Sequence, residues 1–238
     1  MILRRGAVAI YPLTSASANR DISGYANPPA VIIGVKYASG TDNHPQGALS
    51  FETRNSYVLI PNNGCLDTKY AITIMFWLYP RGLGSLIHYN PSGRGVELSI
   101  ESPFNLYARL VPRSGKPVKA VNKAISPRRW SFVTVTYKND ILSLWINGIL
   151  VVQHRIGRFR LGLANQYPIL IGQKPGVSRK FNGKISCLEI FNYALNGVEI
   201  TSKMKWCFRS GGYAGRFSFP FLLPYHSFMV RNFPLSQS

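Results

Sequence analysis

Residues 130–152 constrain the fold more than any other stretch. They read WSFVTVTYKNDILSLWINGILVV. In the first run Trp130, Phe132, Thr134 and Thr136 share one face, and Ser131, Val133, Val135 and Tyr137 share the other. That is a period of two in β-branched and aromatic residues, which suits a pleated surface. Lys138-Asn139-Asp140 is a polar break, and Asn147-Gly148 supplies the residues that accept positive φ in a two-residue turn. Three antiparallel strands follow, at 130–137, 141–146 and 149–152. A meander this apolar does not stand alone, so another layer must cover it.

The rest of the chain repeats the pattern. Strands are expected at 7–13, 48–52, 56–60, 70–79, 85–89, 95–101, 104–111, 117–124, 168–172 and 182–191, with a short apolar run at 31–35. Pro61-Asn62-Asn63-Gly64 and Pro175-Gly176 mark turns between them. One short helix is expected over 196–203, where Asn196 and Glu199 have the spacing of a capping box. Many short strands without alternating helices predict an all-β chain, a two-sheet antiparallel β-sandwich. At 238 residues one such domain, over about residues 5–201, accounts for most of the chain. Residues 204–238 hold six Phe, three Pro and no acidic residue, with no period of 2 or 3.6. Nothing there specifies a register, so 202–238 is expected to be an irregular tail outside the domain.

The same residues carry a family resemblance. Trp130 and Val133 before Thr136-Tyr137, then a polar turn, Leu142, Leu144, Ile146, Asn147 and Gly148, resemble the core of laminin-G-like jelly-roll domains. These are relatives of pentraxins and concanavalin-A-like lectins. Asp21-Ile22-Ser23-Gly24, Ser56-Tyr57-Val58, Ile72 to Pro80, Phe181 to Ile185 and Phe191 to Leu195 match further motifs in the same order. The match spans about residues 7–201 and resembles modules of cnidarian and other invertebrate extracellular proteins. It implies a jelly roll in an extracellular setting. The N-terminal MILRRGAVAIYPL is broken by Arg4 and Arg5 and does not read as a signal peptide. The expectation is therefore a module of a longer secreted protein. No apolar stretch reaches the ~18 residues of a spanning helix.

Charge narrows the partner. Lys and Arg number 28 against 9 Asp and Glu, a formal net charge of +19. Between Ser102 and Cys187 the only acid is Asp140. Such an imbalance points to a polyanion: nucleic acid, anionic lipid, or a sulfated or acidic glycan. No nucleic-acid motif is present, and the resemblance favours glycans, because laminin-G-like domains include binders of heparin-like chains. Arg113, Lys116, Lys119, Lys123, Arg128, Arg129, Arg158 and Arg160 are the candidate ligand-binding residues. Arg offers bidentate contacts to sulfate or carboxylate and Lys a point charge.

Other chemistry is thinner. The resemblance implies a rim calcium held by Asp21, but the family's second acidic pair is Ser186-Cys187 here, so at most a weak site is expected. Glu97, Ser99 and Glu101 share one strand face, as in laminarinase-type glycosidases, but Ser99 replaces the middle Asp. The alternative reading is two solvent-facing glutamates balancing Arg94 and Arg109. Histidines 44, 88, 154 and 226 have no metal-ligand spacing. Trp77, Trp130 and Trp145 read as core residues. Of Cys65, Cys187 and Cys207, a Cys65–Cys187 bridge is conceivable, while Cys187 reads as a small buried apolar residue. The expected function is non-catalytic: an adhesion or matrix module for acidic or sulfated glycans or acidic proteins. A structural spacer and a degenerate laminarinase-like hydrolase are the alternatives.

Overall fold

The computed structural model describes residues 6–53, 55–90, 94–114, 121–157, 161–177 and 180–210. Fifteen strands and one α-helix occur in this part. They are β1 (Ala9–Tyr11), β2 (Val31–Ile33), β3 (Lys36–Ala38), β4 (Ala48–Phe51), β5 (Tyr57–Ile60), β6 (Ala71–Pro80), β7 (Gly84–Tyr89) and β8 (Gly95–Glu101), then β9 (Asn105–Val111), β10 (Val121–Ala124), β11 (Ser131–Lys138), β12 (Ile141–Ile146), β13 (Ile149–Arg155), β14 (Ile169–Ile171), β15 (Gly183–Phe191) and α1 (Gly197–Ser210). One sheet has the order β13-β12-β11-β6-β15-β4-β3, with β1 also on β15. The other runs β10-β9-β8-β7-β14-β5-β2. Every ladder between named strands is antiparallel. The protein is a two-sheet β-sandwich of jelly-roll type.

The central meander forms as its alternation requires. Asn139 and Asp140, then Asn147 and Gly148, all have positive φ, and each pair closes a two-residue hairpin, between Lys138 and Ile141 and between Ile146 and Ile149. Asn147 does more than turn: its Oδ1 accepts the Phe132 N–H at 2.8 Å, tying the hairpin tip back to β11. Of the apolar run at 31–35, Val31–Ile33 forms β2; Gly34, at φ +62°, ends that strand, and β3 begins beyond the run at Lys36 and joins the other sheet. The Gly34 carbonyl accepts a hydrogen bond from Ser56 Oγ at 2.7 Å. Of the strand expected at 117–124, Val121–Ala124 is formed and 117–120 lie outside the described residues.

Two apolar layers hold the sheets. Between them lie Leu49, Ile74, Phe76, Leu78, Leu98, Ile100, Val133, Val135, Leu144 and Ile185 among others. The second layer lies on the outer face of the larger sheet, where Met75, Trp77, Phe132, Cys187 and Phe191 meet Leu195 and Ile200. Its lid is α1, longer than the segment expected at 196–203. The capping box is reciprocal: Glu199 N–H donates to Asn196 Oδ1 at 3.0 Å, and Asn196 N–H to Glu199 Oε2 at 2.8 Å. Residues 211–238, most of the expected tail, lie outside the described residues.

Cysteine chemistry differs from the expectation. Cys65 is a free thiol, so the conceivable Cys65–Cys187 bridge is absent. Cys187 is buried, yet it is disulfide-bonded rather than a plain apolar filler.

Two polar groups are fixed by this packing. Asp21 accepts hydrogen bonds from the Ile10 N–H (2.8 Å), the Ser23 N–H (3.0 Å) and Oγ (2.7 Å), and the Asn27 N–H (3.3 Å) and Nδ2 (2.8 Å). It thereby fastens β1 to the following loop. Asp21→Ala leaves these donors unpaired and is expected to cost about 3 kcal/mol in chemical denaturation; a loss under about 1 kcal/mol refutes the clamp. Glu189 is fully buried on β15 under α1, and burial raises its pKa from 4.5 to about 7, with Lys203 opposing. A raised carboxyl pKa means the folded state holds the proton more tightly. Stability therefore falls as pH rises from about 4.5 through 7. Relative to wild type, Glu189→Gln should gain on the order of 2–3 kcal/mol between pH 5 and pH 8 in parallel denaturations. An equal effect at both pH values contradicts this assignment.

Candidate functional site

The four predicted cations among the described residues do not form one patch. Arg113 lies just past the end of β9, where Nη2 meets both oxygens of Asp67 at 2.8 and 2.6 Å and Nε donates to the Leu163 carbonyl at 3.1 Å. It is spent on pinning a loop. Lys123, on β10, pairs with Leu106 near the other end of β9, roughly 20 Å away at the rise of an extended strand. Arg128 and Arg129 are exposed in the β10–β11 connection, where the Arg128 N–H donates to the Pro80 carbonyl at 2.7 Å. Lys116, Lys119, Arg158 and Arg160 lie outside the described residues.

The enzyme-like pair is taken apart. Glu97 is 9% exposed, not solvent-facing. Its Oε2 is gripped by the Arg109 guanidinium and its Oε1 by Lys174 Nζ at 2.9 Å. Arg94 sits over the Tyr167 ring instead, 5.6 Å from its centroid. Glu101 is exposed and accepts from Ser99 Oγ at 3.0 Å. His88 stands opposite Glu97 in the ladder. It is fully buried, and burial, then Lys174, holds its pKa down at about 4. A carboxylate clamped by two cations beside a neutral imidazole is a poor proton donor at neutral pH. Glu97 works here as the centre of a buried ion cluster.

The rim calcium does not fit these residues. Five donors from the protein already occupy both Asp21 oxygens. At the second position Ser186 Oγ donates to the Gly47 carbonyl at 2.6 Å. Among the described residues no cluster of three or more His, Cys, Asp or Glu is placed to hold a metal.

A different group of side chains comes together on the outer face of the larger sheet, beyond α1. Ladder registers align Lys36 with Ser50, Ser50 with Lys184, and Lys184 with Tyr79. Trp130, directly before β11, falls opposite Tyr79 and meets its ring at 5.5 Å between centroids. Lys184 Nζ lies over the Tyr79 ring at 5.4 Å and donates to Ser39 O and Oγ at 3.0 and 2.9 Å. Burial first, then the nearby Arg81 guanidinium, lowers the Lys184 pKa. Arg81 pairs with Glu52 at 3.1 Å. Trp130 and Tyr79 are half-buried, and Lys36 is exposed. Sequence reasoning took Trp130 for core. It did not bring Lys36, Tyr79, Arg81 and Lys184 together, although Lys184 lies in the basic stretch and Tyr79 in a family motif, because only the strand registers make them neighbours. The one trace of them is that Tyr79 and Lys184 occupy outward positions in alternating runs.

The Laminin_G_3 family model, described as the concanavalin A-like lectin/glucanases superfamily, matches residues 52–201. No curated protein matches the chain. Among solved structures it is similar to the binding domain of Paraclostridial Mosquitocidal Protein 1, at 21% identity and a TM-score of 0.69, covering 85% of this chain and 52% of that one. It is also similar to the binding domain of botulinum neurotoxin DC in complex with rat synaptotagmin II, at 16% identity and 0.68, covering 87% and 52%. The same neurotoxin domain in complex with SialylT matches at 17% and 0.68, covering 86% and 52%. The chain spans about half the length of these structures, and at such identity the likeness is one of fold. The family model covers well over half of the chain, and the chain therefore belongs to Laminin_G_3, within the concanavalin A-like lectin/glucanases superfamily.

Proposed function

We propose that this protein is a non-catalytic extracellular binding module for acidic or sulfated glycans. The observation that carries the reading is how the acids are used. The seven ion pairs among the described residues engage Glu52, Asp67, Glu97, Asp140 and Glu189. Asp21 and Glu199 serve a turn and a helix cap. Seven of the 9 acidic residues are thus engaged in ion pairs, a turn or a cap, while 28 basic residues leave an excess of cations facing outward. Among the described residues Lys123, Arg128 and Arg129 form no ion pair with a carboxylate, and Lys36 and Lys184 feel Glu52 only at longer range, since Glu52 pairs directly with Arg81. Lys116, Lys119, Arg158 and Arg160 add to the same charge. The fold neighbours solved with SialylT and with synaptotagmin support binding, of a sugar or a protein, as the use of this architecture. The locked state of Glu97 weighs against hydrolysis.

Retention on heparin resin provides the test. The protein should bind at low salt and elute as ionic strength rises, because exposed charges are screened. Lys123→Gln with Arg128→Gln and Arg129→Gln should elute at clearly lower salt, whereas each single change shifts elution little. Elution of the triple variant with wild type would favour the spacer reading, in which the positive charge is spread without a recognition surface.

A further inference from the structure

The open end of the larger sheet has a composition that charge alone does not explain. Its outer face is apolar along β6, with Met75 and Trp77 under α1. One step further along the strand the cover ends, and the face continues as Tyr79 beside Trp130. Across the strands the face turns cationic: Lys184, then Ser50, then Lys36, with Arg81 following Pro80. Five adjacent positions, from Trp130 to Lys36, cover roughly 19 Å at ordinary strand spacing. That is the reach of a short oligosaccharide.

We infer that this row is a saccharide subsite: a sugar ring packs on the Trp130–Tyr79 pair while its carboxylate or sulfate group lies on Lys184, with Arg81 and Lys36 beside it. The inference rests on the binding role proposed above and names its specificity-determining part. Aromatic rings offer an apolar surface with a wet edge, which matches a sugar's C–H face and hydroxyl rim. The charge argues for an acidic sugar. Burial and then Arg81 depress the protonation of Lys184; Glu52, which pairs with Arg81 and accepts from Ser50 Oγ at 2.9 Å, offsets that only in part. An anion at this place relieves that repulsion and gains charge-assisted hydrogen bonds. Lys184 is held in place by Ser39 at 2.9–3.0 Å, so little side-chain freedom is lost on binding. Arg128, tied by its N–H to Pro80, and Arg129, next to Trp130, border the same place. They account for a contribution of the β10–β11 connection to heparin retention.

The experiment titrates the full chain with a sulfated heparin hexasaccharide, with sialyllactose and with neutral lactose, following tryptophan fluorescence and calorimetric heat. Binding of the sulfated or the sialylated sugar, and not of lactose, is expected, and the two acidic arms identify which anion is preferred. Lys184→Gln should weaken that binding about tenfold, and Tyr79→Leu roughly fivefold. Arg155→Gln, on the far edge strand of the same sheet, should leave it unchanged. Lys184→Gln removes a surface charge and spares the core, so its result stands even if Tyr79→Leu loosens the Trp130 contact. Wild-type heparin retention with unchanged affinity in Lys184→Gln and Tyr79→Leu overturns the subsite and leaves the broader binding reading intact. Absence of both heparin retention and saccharide binding overturns the two together.

Discussion

The larger sheet is apolar on both faces, and the rest of the architecture answers that constraint. Strand β6 reads AITIMFWLYP and is buried along most of its length. Ile72, Ile74, Phe76 and Leu78 point into the inter-sheet core, while Met75 and Trp77 point away from it. A sheet of this kind needs two covers. The smaller sheet supplies one. Helix α1 and the residues leading into it supply the other, laying Ile200 and Leu195 on Trp77, Phe132 and Phe191. Gly197 lets the helix approach closely, since a Cβ there would come within 3.2 Å of Trp145.

Covering an apolar face also buries what sits among its residues. Glu189 is caught beneath the helix and is pushed toward its neutral form. On the other sheet His88 and Glu97 are enclosed with Lys174 and Arg109. Glu97 draws Arg109 from β9 and Lys174 from the connection after β14, and Glu189 draws Lys203 from α1. Among the described residues several cations, Lys123, Arg128 and Arg129 among them, form no ion pair and lie at the surface. Glu97 and Asp21 are both occupied by the fold itself, the one by Arg109 and Lys174 and the other by five protein donors.

Some of this was readable in the residues. Alternation in 130–137, the Asn139-Asp140 and Asn147-Gly148 turns, and the spacing of Asn196 and Glu199 depend on neighbours within a few positions. They appear in the structure as read, with the ends of the meander's strands moved by one to three residues. What the local pattern missed has another cause. The chain passes from β2 to β3, and so from one sheet to the other, at Gly34, which meets Asn55 and Ser56, a contact across more than twenty residues. Arg113 was grouped with Lys123 because both lie in one basic stretch, yet β9 carries them to opposite ends of the sandwich.

Local pattern thus determined the strands, the turns, the helix cap and the excess of positive charge, since these follow from backbone preferences and composition. Tertiary structure alone decided which side chains meet. Lys36, Ser50, Tyr79, Trp130 and Lys184 come from five separate segments, and only hydrogen-bond registers between β3, β4, β15, β6 and β11 set them in a row. Register depends on how whole faces bury against each other, and no single segment contains that information.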